Sequence, residues 1–186
     1  MKKIFSILIF LSISIGFAQN ALPKFELWAI FIKNDFVDKS AHKIIAKKWH
    51  LELYELSDNV LESTKMIDSI YKHNQKIWQY LNQHGHQHAE MEFMNEVIKV
   101  KNEISKAVSL SINKIDLTQY KIPNISYLHS EFYTEIDSIK THQYRFSIYN
   151  FDYKKKYTQT NLLIQYTVDI NTEKINIIKG NKNDGK

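Results

Sequence analysis

Between Ser57 and Asn113 apolar residues recur every three or four positions, the period of helices with one wet and one dry face. Val60, Thr64, Ile67, Tyr71, Asn74, Trp78 and Leu81 form a first stripe, widened by Leu61, Ile70 and Ile77. Met94, Val97, Ile98, Ile104, Val108 and Ile112 form a second, broadened by Phe93, Val100 and Ala107. The polar segment from Asn82 to His88 separates them, so the pattern predicts a long helical hairpin whose stripes are buried against each other and the rest of the chain. Asn59 with Glu62 resembles a capping box, and Gly85 suits the positive φ that ends a helix. Asp68 with Lys72, and Lys99 with Glu103, are predicted i,i+4 pairs on the wet side.

Upstream, Phe25 to Ile32 alternates with both faces mostly apolar and reads as a strand covered on two sides. Asn34 or Asp35 offers an N-cap for a helix running to about Lys48, and His50 to Leu56 is a second strand. Strand–helix–strand of this kind can be a parallel crossover unit. Downstream, Ile125, Leu128, Phe132, Ile136 and Ile139 recur at helical spacing after Pro123, which predicts a third long helix; its rival is a strand through Tyr127 to Tyr133. Tyr144 to Tyr153 alternates again, and Leu162, Ile164, Tyr166, Val168 and Ile170 give the cleanest period of two in the chain. A turn over Asn171–Lys174 and a short strand from Ile175 to Ile178 complete a C-terminal β-meander. The expected fold is α+β, with the hairpin and further helices packed on a mostly antiparallel sheet.

The N-terminus changes where that fold is expected to reside. Lys2 and Lys3 precede an apolar run from Ile4 to Phe17, and Gly16 and Ala18 stand at the −3 and −1 positions of a cleavage site. The run is shorter than the ~20 residues of a membrane-spanning helix, so residues 1–18 read as a cleaved signal peptide. One α+β domain over residues 19–180 and a disordered tail over 181–186 are expected to follow. The formal charge of +5 falls to +3 when Lys2 and Lys3 leave, too mild and too evenly spread for a nucleic-acid footprint. With no cysteine the domain has no disulfides, and four glycines leave little material for a phosphate cradle. Richness in Ile, Lys and Asn resembles exported bacterial proteins.

Candidate chemistry is sparse. His84, His86 and His88 in the hairpin turn are the candidate metal ligands, for zinc, copper or nickel, with Glu90 or His73 as a fourth. A solvated turn in a chain with eight histidines accounts for the same cluster without a metal. Glu131 and Glu135 would share a face of the third helix, near His129 and Asp137, and paired carboxylates can hydrolyse a sugar bond; such pairs are also the ordinary content of a wet face. Tyr153-Lys154-Lys155-Lys156-Tyr157 reads as a lysine-rich turn that keeps strand edges soluble. No nucleophile elbow, zinc-protease helix or glycine-rich phosphate loop is present. The leading expectation is therefore an exported, non-catalytic binding module whose partner is a protein or a cell-surface component. A transition-metal protein and a hydrolase are the alternatives.

Overall fold

A computed structural model of the chain describes residues 24–31, 35–56, 63–122, 132–151 and 160–180. The expected signal peptide (residues 1–18), Asn34, Asn59 to Glu62, Ile125, Leu128, His129, Glu131, the segment from Tyr153 to Tyr157 and residues 181–186 lie outside the described residues. The elements are β1 (Phe25–Ile30), α1 (Phe36–Lys48), β2 (Leu51–Leu56), α2 (Thr64–Gln83), α3 (Ala89–Lys114), β3 (Phe132–Lys140), β4 (Gln143–Phe151), β5 (Thr160–Asp169) and β6 (Lys174–Gly180). The class is α+β, with β3 to β6 forming an antiparallel meander in sequence order.

The C-terminal sheet follows its alternation. Thr134 and Ile136 of β3, Tyr144, Phe146 and Ile148 of β4, and Ile164, Tyr166 and Val168 of β5 all turn to one buried face. Phe146 lies opposite Tyr166, their rings parallel at 5.1 Å, and Ile148 lies opposite Ile164. Ile104, Ala107 and Ser111 of α3 are sealed from solvent within the same core. Residues from 132 to 140 thus form a strand, where a third helix was expected. Phe132 and Ile136 share a face on either period, whereas Ile139 fits only the helical one and stands exposed; pairing with β4 across the Thr141–His142 turn offers a ladder of hydrogen bonds, and Thr134 enters the core only on the strand period.

Helix α3 also holds two hairpin turns of this sheet, β3–β4 and β5–β6. His142 and Glu173, one in each turn, have positive φ, which costs a non-glycine residue energy. Glu103 of α3 meets the first turn and Lys114 the second, where its ammonium donates to the Glu173 carbonyl at 2.8 Å. Lys106 adds a bond to the Ile170 carbonyl at 3.0 Å. Glu103, expected in a solvent-side pair with Lys99, instead accepts from the Tyr144 hydroxyl at 2.6 Å, with His142 Nδ1 at 3.1 Å from the same oxygen. Gly180, the last residue of the expected domain, closes β6 against Tyr120: an added Cβ would stand 2.5 Å from that ring.

The N-terminal layer is built differently. Strands β1 and β2 pair in parallel through α1, which is capped by Asp35 accepting from Asp38 N–H at 2.9 Å. Leu27 and Leu51 are buried, as are Ala41 and Ile45 of α1, and Glu55 pairs with Lys39 and Lys43 of that helix. Burial pushes the Glu55 carboxyl up, but hydrogen bonds from the two lysines outweigh it and hold the group below its ordinary value. The outer edge of β1 is closed by α2. Asn74 Oδ1 accepts from Trp28 N–H at 3.0 Å, Asn74 Nδ2 donates to the Trp28 carbonyl at 2.8 Å, and His73 Nε2 donates to the Glu26 carbonyl at 2.7 Å. One amide side chain thus does the work of a strand neighbour, which explains its place inside an apolar stripe.

Helices α2 and α3 meet at their connected ends, where the Trp78 and Phe93 rings lie 5.4 Å apart and Asn82 Oδ1 accepts from Ala89 N–H at 2.8 Å. Trp78 and Ile104 are both buried, as the stripes require. The stripes are not buried throughout, however. Ile67 and Tyr71 of α2, and Met94, Ile98 and Ile112 of α3, stand exposed. The physical reason is geometric: α3 gives its Phe93–Val97–Ile104 line to α1 and the sheet, and α2 gives His73, Asn74 and Ile77 to the β1 side. The flanks of each stripe are left over.

Candidate functional site

The three turn histidines take separate partners. His84 Nδ1 donates to the Tyr80 carbonyl at 2.7 Å and its ring stacks on Tyr80 at 3.9 Å. His86 Nδ1 donates to Glu92 at 2.8 Å while its ring stacks on Trp49 at 4.3 Å. His88 is the N-cap residue of α3, and its backbone N–H donates to the other Glu92 oxygen at 3.2 Å. These bonds, first that from the His86 ring, hold the Glu92 carboxyl below its ordinary value. Gly85 has φ of +120°, so the backbone reverses between His84 and His86 and sends their rings to different helices. Among the described residues no group of three or more His, Asp or Glu side chains is placed to hold a metal ion. The His84 and His86 imidazoles, committed to a carbonyl and a carboxylate, and the His88 backbone N–H together order the turn.

Glu135 lies on the solvent side of β3, where it accepts from the Tyr149 hydroxyl at 3.3 Å. It is a strand residue beside Tyr133 and Tyr149 on the outer face of the sheet, and the helical spacing that would have aligned it with Glu131 is absent at its position.

What the sequence did not single out is the outer face of the β1–β2 pair. Parallel register sets Glu26 beside Glu52, Trp28 beside Tyr54 and Ile30 beside Leu56. Alternation puts all six on the face opposite that of buried Leu27 and Leu51. Trp28 is half-buried and Tyr54 is 48% exposed, their rings tilted by 45° with centroids 6.2 Å apart. His73 of α2 stacks on Trp28 at 4.0 Å, and the indole N–H donates to Glu26 at 3.0 Å. Glu52 holds the exposed Lys24 ammonium at 2.6 Å. The result is a small platform: two aromatic rings, two carboxylates, and an imidazole and an amide from α2 that fix the tryptophan from the side. A reading of Trp28 and Tyr54 as cross-strand partners would have revealed it, but the register of two short parallel strands is not written in either strand alone.

A second surface flanks α2 on another side. Gln75, Trp78, Gln79 and Asn82 of α2 face Met91 and Met94 of α3 across an open groove of about 450 Å³. Helical periodicity continues its walls through exposed Tyr71 and Ile98. Met66, Met91 and Met94, the methionines among the described residues, are all exposed.

No family model, curated protein or solved structure matches the chain at a significant level. Function therefore rests on the surfaces themselves. No helix among the described residues is long and apolar enough to cross a membrane.

Proposed function

We propose that the chain is an exported, non-catalytic binding module, and that its contact surface is the outer face of the β1–β2 pair. The observation that carries this reading is the exposed Trp28–Tyr54 platform, held by Asn74 and His73. Fully burying an aromatic ring is worth about 1.5–3 kcal/mol, and this chain buries Phe146 and Tyr166 completely while leaving Tyr54 in water. A tyrosine kept out of a core, beside a tryptophan whose backbone and ring are both fixed, presents rigid apolar area with polar handles. That is the composition of protein contact surfaces. The exposed methionines along α2 and α3 add adaptable apolar area of the kind common on partner-binding faces. Export follows from the apolar leader, and the partner is a protein or other component of the cell surface.

The test is retention of the purified mature domain on cell-envelope material from the producing cells. Wild type should bind saturably, and Tyr54→Ala should weaken that binding at least tenfold without changing the thermal midpoint by more than about 2 °C, because the ring removed is a surface one. Undiminished retention of Tyr54→Ala contradicts the assignment of this face.

A further inference from the structure

Resting on that reading of the face, we propose that the platform takes a cationic side chain, the guanidinium of an arginine on a partner protein. Glu26 and Glu52 are register partners, two residues from the Trp28–Tyr54 pair, so two carboxylates border two rings on one surface. A guanidinium is planar and weakly hydrated: it stacks on an aromatic face while its N–H groups reach neighbouring carboxylates. The indole N–H of Trp28 is bonded to the Glu26 carboxylate, which adds electron density to the ring and strengthens its face as a cation acceptor. His73 lies flat on Trp28, and the half-exposed Tyr54 ring beside it is the face a guanidinium can reach.

The patch already holds a cation from its own chain. Lys24 Nζ sits 2.6 Å from Glu52, and its side chain is 80% exposed. An exposed pair of this kind is weak and exchangeable, so Lys24 is a displaceable internal occupant that shows the charge this surface accepts. Lys24 and the partner's arginine therefore compete for Glu52. Binding should also weaken as salt rises.

The experiment follows the indole N–H signals of Trp28, Trp49 and Trp78 in nitrogen-15 spectra of the mature protein during titration with N-acetylarginine amide. The neutral isostere N-acetylcitrulline amide is titrated in parallel. The expected result is a saturable shift confined to the Trp28 signal with the arginine probe and none with citrulline. Glu26→Gln combined with Glu52→Gln should weaken it at least tenfold, and Lys24→Ala should strengthen it severalfold. An equal response to citrulline, a shift centred on Trp49 or Trp78, or no saturable shift overturns the proposal. The citrulline comparison is made on wild type, so it holds even if a variant folds poorly. Should Tyr54→Ala abolish envelope retention while arginine fails to bind, the contact face stands and the cation assignment falls; if neither effect is seen, both fall.

Discussion

On the C-terminal sheet, Phe146, Ile148, Ile164, Tyr166 and Val168 are wholly withdrawn from solvent, whereas the outer face of β1–β2 keeps Trp28 partly wet and Tyr54 about half exposed. Both regions are sheets that carry aromatics, yet the buried face of one is sealed by α3 and the outer face of the other is only edged by α2. The sealed sheet spends its side chains on packing and has its β3–β4 and β5–β6 turns fastened by Glu103 and Lys114. In the open pair the backbone is satisfied by an asparagine and a histidine, which leaves the rings available for contact. The most deeply buried packing thus lies in one layer, and the face proposed for recognition lies in the other.

The largest effects should come from the sealed layer. Phe146→Ala removes one ring of the parallel stack and is expected to cost ~3–5 kcal/mol in urea denaturation, with Ile104→Ala at ~2–5. Alkali should strike the same layer next. Burial pushes the Tyr166 phenol up to about 12, and burial together with the Glu103 carboxylate pushes Tyr144 well above the tyrosine range. Both groups keep their protons in the folded state, so their contribution is fully present below the unfolded value of about 10. It is lost as pH rises through the folded values. Stability should thus fall on going from pH 10 to 12, by roughly 1–3 kcal/mol from Tyr166, and Tyr166→Phe should flatten that decline.

In the open layer the expected sizes are smaller. Asn74→Ala leaves the Trp28 N–H and carbonyl without their partner, at about 1–3 kcal/mol, and should speed amide exchange at Trp28 while amides of β5 stay protected. A uniform loss of protection across both sheets would deny the division into layers. Surface exchanges come last: Gln79→Ala and Tyr54→Ala should each lie within about half a kcal/mol of wild type in the same denaturation.

Much of this arrangement was legible in the chain's periodicity. Helix α1 runs from Phe36 to Lys48 as its stripe predicts, the parallel crossover forms, and the β5 alternation of Ile164, Tyr166 and Val168 is buried residue by residue. Periodicity failed at Phe132, Ile136 and Ile139, whose spacing is helical although the segment is a strand with Ile139 left exposed, and long-range pairing with β4 overrides that local pattern. It also overstated burial on α2 and α3, because a stripe marks which face is apolar and not whether a neighbour extends far enough to cover it. The histidine turn was conspicuous by composition, but ring placement depends on Gly85, Tyr80, Trp49 and Glu92 together. The aromatic platform was illegible for the converse reason: its members are ordinary strand residues until register sets Trp28 beside Tyr54.

The central claim, that recognition sits on the open β1–β2 face and stability elsewhere, is tested most directly by measuring two quantities on one preparation. Tyr54→Ala and wild type are compared by urea denaturation and by saturation binding to envelope material. Unfolding midpoints should coincide within error, and the dissociation constant should be at least tenfold higher for the variant. Unchanged binding, or a loss of binding matched by a loss of stability, would contradict it.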